Sequence, residues 1–208
     1  GIPVEECDCY GNALDSCGMC GGENIDECTL TDIDGNIYNV GMISNQLWML
    51  ENLKVTRHNN GDDLTYVCYQ DNTDYCDVYG ALYTGLAAQT DNICPVNWHV
   101  PNDEEWKELE MLLGMTQETA DLLWVRGTDE GGKLKSVDLW QEPNVGATDE
   151  YNFNARPAGF KEQGASNGQG YYDLGQNVHF WVSNEGMARK LSYQYSGINR
   201  MSGRNPDY

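Results

Sequence analysis

Apolar residues in this chain seldom run together for more than a few positions, and only a few stretches carry a clear period. Thr31–Val40 alternates and turns on Asp34-Gly35, which predicts a β-hairpin. Asp32, Asp34 and Asn36 are spaced like the ligands of a calcium loop, but the hairpin accounts for them without an ion. In NQLWMLENLKVT, Trp48, Met49, Leu50 and Leu53 predict a strand or turn facing the core. Tyr79–Ala88 predicts an apolar strand or helix leading into Cys94-Pro95. The clearest helix runs from Asp103 to Leu113. Asn102 and Glu105 form a capping box, Trp106, Leu109, Leu112 and Leu113 share one face, and Gly114 ends it. A second helix is predicted over Gln117–Leu123, capped by Thr116. From Gly127 the chain is rich in Gly, Asn and Asp with spaced aromatics, so short strands and long loops are expected. Strands, two helices, then strands and loops make an α+β order.

Of 208 residues, 12 are Lys or Arg and 33 are Asp or Glu, a formal net charge of −21. Nucleic acid and anionic membrane surfaces need a basic face, so neither is an expected partner. The apolar stretches fall far short of the ~20 residues that span a bilayer, so no membrane insertion is expected. The 8 cysteines point to disulfides and an oxidising compartment. The chain begins at Gly1 without a basic and apolar leader, so a secretory signal is expected to be removed or not included. A secreted, extracellular or cell-surface location follows.

Cys7, Cys9, Cys17, Cys20 and Cys28 divide the chain into a Cys-rich segment, 1–28, and a main domain, 29–208. The first segment has almost no large apolar residues, so cross-links must hold it. Its CxC and CxxC spacings could meet a zinc ion, but no His joins them and an exterior location favours disulfides. Calcium is the one candidate cofactor. Asp8, Asp15 and Asp26, with Asn12 and Glu23, are hard oxygen donors, but no EF-hand spacing is present and turn formation is the simpler account of them. Cys68 and Cys76 flank the polar run YQDNTDY, where a local bridge would staple a hairpin. Cys94 then lacks a mate within the main domain. Its partner is one of the five upstream cysteines or a cysteine this chain lacks.

Five strings occur in order: NQLWMLENLKVT, YGALYTGLAA, CPVNWHVPNDEEW, KLKS and TDEYNFNARPAGF. Together, from Thr29 to Asn205, they resemble the Fibrobacter succinogenes major paralogous domain family. The resemblance implies a disulfide-stabilised, C-type lectin-like α+β fold in secreted or surface proteins of bacteria, with no established activity. It also implies a last strand of the type GFSVRC, whose cysteine would mate with Cys94, whereas this chain stops at MSGRNPDY. Three expectations follow: a clipped chain, a strand supplied by another chain, or Cys94 bonded into the N-terminal knot of the same or a neighbouring subunit.

Glu142-Pro143-Asn144 spells the EPN tripeptide of calcium-dependent, mannose-type lectins, and Trp181 and Asn184 echo the second half of such a site. Glu185 stands where an Asp is expected, so a polar loop explains the tripeptide as well. Trp140, Tyr171, Tyr172, Trp181, Tyr193 and Tyr195 could stack on sugar rings, although strand alternation places half of them in the core. His99 and His179 read as core or strand residues satisfied by hydrogen bonds, and His58 lies far from both. Formylglycine-generating enzymes of similar fold use paired active-site cysteines, but no late pair occurs here. No nucleophile elbow, zinc-protease motif or phosphate loop is present. The expected function is a non-catalytic structural or adhesive subunit of a bacterial surface appendage or filament. It would self-associate or bind other surface proteins. The alternative is a carbohydrate-binding, lectin-like module using calcium and polysaccharide.

Overall fold

The computed structural model describes residues 28–43, 45–162, 170–184 and 186–203. Cys7, Cys9, Cys17 and Cys20 and the calcium candidates Asp8, Asp15 and Asp26 lie outside the described residues. Cys28 is disulfide-bonded.

The first hairpin forms where the alternation predicts it. Strand β1 (Thr29–Thr31) pairs antiparallel with β2 (Ile37–Ile43), and β3 (Gln46–Met49) adds to the far side of β2. Asp32 organises the turn. Its carboxylate accepts from the backbone N–H of Asp34 and Asn36, each at 2.9 Å, and from the Tyr38 hydroxyl at 2.7 Å. Asp34 in turn accepts from Thr56 N and Arg57 Nε, at 2.5 and 2.7 Å, fastening the hairpin to the next segment. The acidic trio is therefore taken up by turn and ion-pair contacts, as the hairpin reading requires.

A short ribbon of β4 (Tyr66–Val67) and β5 (Leu82–Tyr83) follows. The Cys68–Cys76 bridge forms as expected, but the run it spans is helical, not a polar hairpin tip. After a 3₁₀ turn (Tyr69–Asp71), Asn72 caps α1 (Thr73–Tyr79) by accepting from Asp74 N at 3.0 Å. That cap is the signal missed in YQDNTDY. Helix α2 (Gly85–Ala88), capped by Thr84, falls in the stretch Tyr79–Ala88 read as a strand or helix, so four α-helices are described where the fold reading counted two.

Helix α3 (Asp103–Leu112) carries the predicted capping box, and α4 (Gln117–Ala120) the predicted Thr116 cap. Two corrections apply here. Helix α4 stops before Leu122, because the chain enters β6 (Trp124–Arg126). On α3, Leu112 is 40% exposed, whereas Glu110 is fully buried. Glu110 is turned inward by two guanidiniums, Arg126 at 2.5 Å and Arg189 at 2.7 Å.

The late chain gives β7 (Phe160–Lys161) paired with β8 (Tyr171–Tyr172), then β9 (Asn177–Trp181), β10 (Ala188–Ser192) and β11 (Tyr195–Met201). The largest sheet is antiparallel in the order β6-β11-β10-β9. Trp48, Trp106 and Phe153 pack between it, α3 and β3, with ring centroids 5.4 to 6.1 Å apart. A second cluster of Val55, Leu64, Ala87, Ile93 and Cys94 fills the space beneath α2. Several small sheets and few helices thus make a mixed α/β domain stapled by a disulfide.

Fully buried Lys135, from the KLKS string, pins the sheet to the loop beyond it. Its ammonium donates to the carbonyls of Val145, Ser192 and Tyr195 at 2.8, 2.9 and 3.2 Å. Burial without an acidic partner pulls its pKa down to about 8.

Candidate functional site

A cleft of about 620 Å³ opens between β3, the β4–β5 ribbon, the segment 93–101 and the edge strand β9. Its floor is the core itself, Trp48, Trp106 and Phe153. Its walls hold apolar side chains that are only half covered, among them Leu53, Tyr66, Tyr83, Trp98, Phe160 and Trp181. So much uncovered apolar surface in one concave place makes it the candidate site.

Local hydrogen bonds fix the walls. Trp181 Nε1 donates to Tyr83 O at 2.9 Å, tying β9 to the ribbon, and the Tyr83 hydroxyl donates to Val55 O at 2.8 Å. Asn52 Nδ2 donates to Tyr79 O and Arg156 O, at 2.7 and 3.1 Å, knitting three distant segments at one corner. A Cβ on Gly80, which sits at φ +81°, would meet Asn52 Cβ at 2.5 Å, so this close crossing needs glycine. On the outer side of β9, Gly159 forms a parallel bridge at Val178.

Among the polar groups that reach the cleft, His99, His179 and Lys161 each lie against a defined neighbour. His99 is exposed, not a core residue, because its Nε2 lies 2.8 Å from Glu105 Oε1 at the start of α3. His179 is half-buried on β9 and stacks on Phe160, 5.4 Å between centroids. Lys161 lies 4.7 Å over the Tyr171 ring and 3.6 Å from Asp71, which also accepts from the Tyr171 hydroxyl.

Cys94 stands in the cleft wall as a buried, free thiol, so it is not bridged to an upstream cysteine. Burial pushes its pKa up to about 12, far from the range of a reactive thiolate. The arrangement offers apolar contact, while the outer edge of β9 is already bonded to Gly159, whose N–H donates to Asn177 O at 2.9 Å.

The predicted lectin residues are dispersed. Glu142 is exposed, and the Glu142–Pro143 peptide is cis. Asn144 donates through Nδ2 to Ser136 O at 3.2 Å. Asn184 accepts from Asp103 N at 2.7 Å and so serves the N-terminus of α3. Of these four residues only Trp181 lines the cleft. Among the described residues no group of three or more His, Cys, Asp or Glu side chains is placed to hold a metal ion. Of the candidate sugar-stacking rings, Trp140 is buried and Tyr172 is 42% exposed against Phe160.

The residues that sequence reasoning passed over are Asn52, His99 as a rim residue, and Trp98. Each lies inside a string quoted above, yet nothing in the spacing shows that those strings converge.

Among the described residues no helix is long and apolar enough to cross a membrane. It is a small mixed α/β domain with a disulfide and an aromatic-walled cleft at a sheet edge. Residues 42–206 match the Fibrobacter succinogenes major domain, and the chain belongs to that family. No curated protein and no solved structure matches the chain.

Proposed function

We propose that this chain is a secreted, non-catalytic structural or adhesive subunit of a bacterial cell-surface appendage or filament, built on a C-type lectin-like plan. The observation that carries this reading is the cleft beside β9, whose half-covered apolar walls suit an apolar segment of another subunit. The disulfides fit an exterior setting. An acidic coat fits solubility there.

The test is the native size of the protein by sedimentation and negative-stain microscopy, with and without chelator. Oligomers or elongated particles are expected. A monomer of 23.3 kDa at every concentration overturns the reading.

A second reading has its own support. Trp98, Trp181, Tyr66 and Tyr83 give the cleft an aromatic lining, with Asn52 and His99 at hand for hydroxyls. Such a lining suits a polysaccharide, with or without calcium. A glycan screen in calcium separates the two: saturable binding by a monomer favours the lectin-like module.

A further inference from the structure

The floor and walls of the cleft constrain what can fill it. Trp106 forms part of the floor and is 2% exposed, and its buried Nε1 donor has no acceptor among the described residues. A buried N–H in that state is unfavourable until an acceptor reaches it. In the wall, the Tyr83 carbonyl already accepts from Trp181 Nε1. The occupant therefore has to bring an acceptor.

An added strand is excluded. The outer edge of β9 is bonded to Gly159, whose N–H donates to Asn177 O at 2.9 Å, so no ladder is open there. A segment that carried its own N–H groups between apolar walls would leave them unpaired. Proline has no N–H, and a polyproline II helix makes no internal hydrogen bonds, so its carbonyls stay free to accept.

The rings suit such a segment. Tyr66 and Tyr83 lie opposite each other in the β4–β5 ribbon, and both line the cleft with Trp98, Phe160 and Trp181. Each of these rings is half-buried. Proline-rich segments dock in aromatic-lined grooves of this kind. Charge adds a preference at the ends. Glu51 and Glu162 also line the cleft, Lys161 lies 3.6 Å from Asp71, and the chain carries a net charge of −21. Basic residues flanking the prolines complement that field.

We infer that the cleft binds a proline-rich segment with basic flanks, held as a polyproline II helix with one carbonyl accepting from Trp106 Nε1. This rests on the reading that the cleft takes an apolar segment of another subunit, and it names the chemistry of that segment. The six prolines of this chain are scattered along it, so a second copy of residues 1–208 does not supply the segment.

The test titrates the protein with an oligoproline peptide carrying a lysine at each end. Binding is read by tryptophan fluorescence and by the indole N–H signals in a proton–nitrogen NMR spectrum. Trp106→Phe keeps a ring but removes the donor, and Trp98→Ala removes a wall ring; circular dichroism checks that both are folded. Saturable binding is expected, with the Trp106 indole signal moving downfield. Trp106→Phe should bind about fivefold to tenfold more weakly, as the loss of one hydrogen bond predicts. Trp98→Ala should also bind more weakly, and it decides together with the indole signal if Trp106→Phe does not fold. A lysine-flanked Gly-Ala peptide that binds as well as oligoproline overturns the inference. So does an indole signal that stays in place, or wild-type affinity in both variants. Oligomers in sedimentation without oligoproline binding overturn the inference and leave the assembly reading standing. A monomer that binds oligoproline overturns the assembly reading alone, and a monomer that does not bind it overturns both.

Discussion

Glu110 sits on α3 between the guanidiniums of Arg126 on β6 and Arg189 on β10. It is fully buried on α3 and accepts from Arg126 Nη2 at 2.5 Å and from Arg189 Nε at 2.7 Å. Both guanidiniums are themselves nearly inaccessible, 4 and 0% exposed. Replacing Glu110 by Gln keeps the shape, but one end of the amide becomes a donor facing a donor. One charge-assisted bond is lost, and two buried cations keep no shared counter-charge. Arg189 retains Asp103 at 2.8 Å, and Arg126 retains the Ile198 carbonyl at 2.9 Å, so the loss is partial. Removing one partner of a buried ion pair costs about 3–5 kcal/mol. In a domain of this size that corresponds to a fall in Tm of roughly 6–20 °C. Urea unfolding followed by tryptophan fluorescence, backed by calorimetry, measures it. Replacing Glu110, Arg126 and Arg189 together by apolar residues of similar size should recover most of the loss. A Glu110→Gln variant within about 1 kcal/mol of wild type would refute this account of how α3 is anchored.

Lys135 makes a pH prediction. Its folded pKa of about 8 lies below the usual 10.5, so the unfolded chain binds the extra proton between those values and stability rises with pH through that window. A Lys135→Met variant lacks the rise, and the stability gap should widen by up to about 3 kcal/mol between pH 7 and 10.5; a constant gap contradicts the burial argument. Asp103 works at the acid end: burial would raise its pKa, but hydrogen bonds from Arg200 and Arg189 and their charges outweigh it and hold it near 2. Its contribution is present above pH 3.8 and lost as pH falls towards 2, so acid titration of Asp103→Asn should show a shallower loss of stability, by about 2 kcal/mol. Changing both Cys68 and Cys76 to Ser opens a loop with a sequence separation of 8. That should lower unfolding stability by about 2–3 kcal/mol, whereas an unchanged urea midpoint would show the bridge to be ornamental.

Local chemistry was legible where a signal sat within a few residues. The Asp34-Gly35 turn, the capping box of Asn102 and Glu105 and the Cys68–Cys76 pairing each needed only neighbours, and each is present. Helix α1 was missed because its one local signal, the Asn72 cap, sits inside a run of turn formers. The inward face of α3 was misread because helical period cannot tell that Arg126 and Arg189, 16 and 79 residues away, supply counter-charge for Glu110. The cleft was the least legible part. Its walls come from six separated stretches, and half-covered Leu53, Trp98 and Trp181 look in sequence like ordinary core residues. The lectin-type tripeptide was the opposite case, a conspicuous string whose Asn144 side chain turns to the backbone of Ser136.

The pairing of β6 with β11 also sets an order of events in time. Arg126 lies opposite Ile198 in the ladder, and the Arg126 Nη1 bond to the Ile198 carbonyl spans 72 residues. Closing a loop of that length costs about 4 kcal/mol of chain entropy before any contact offsets it. As the chain emerges from the ribosome or a translocation pore, Leu122–Val125 waits until β11 follows. The hairpin of β10 and β11 closes quickly by itself, and β6 docks last onto its outer rim. A folding transition state organised around that hairpin, with β6 still loose, is the sequence of steps this topology favours. The strip therefore becomes part of an ordered edge only when the sheet is otherwise complete.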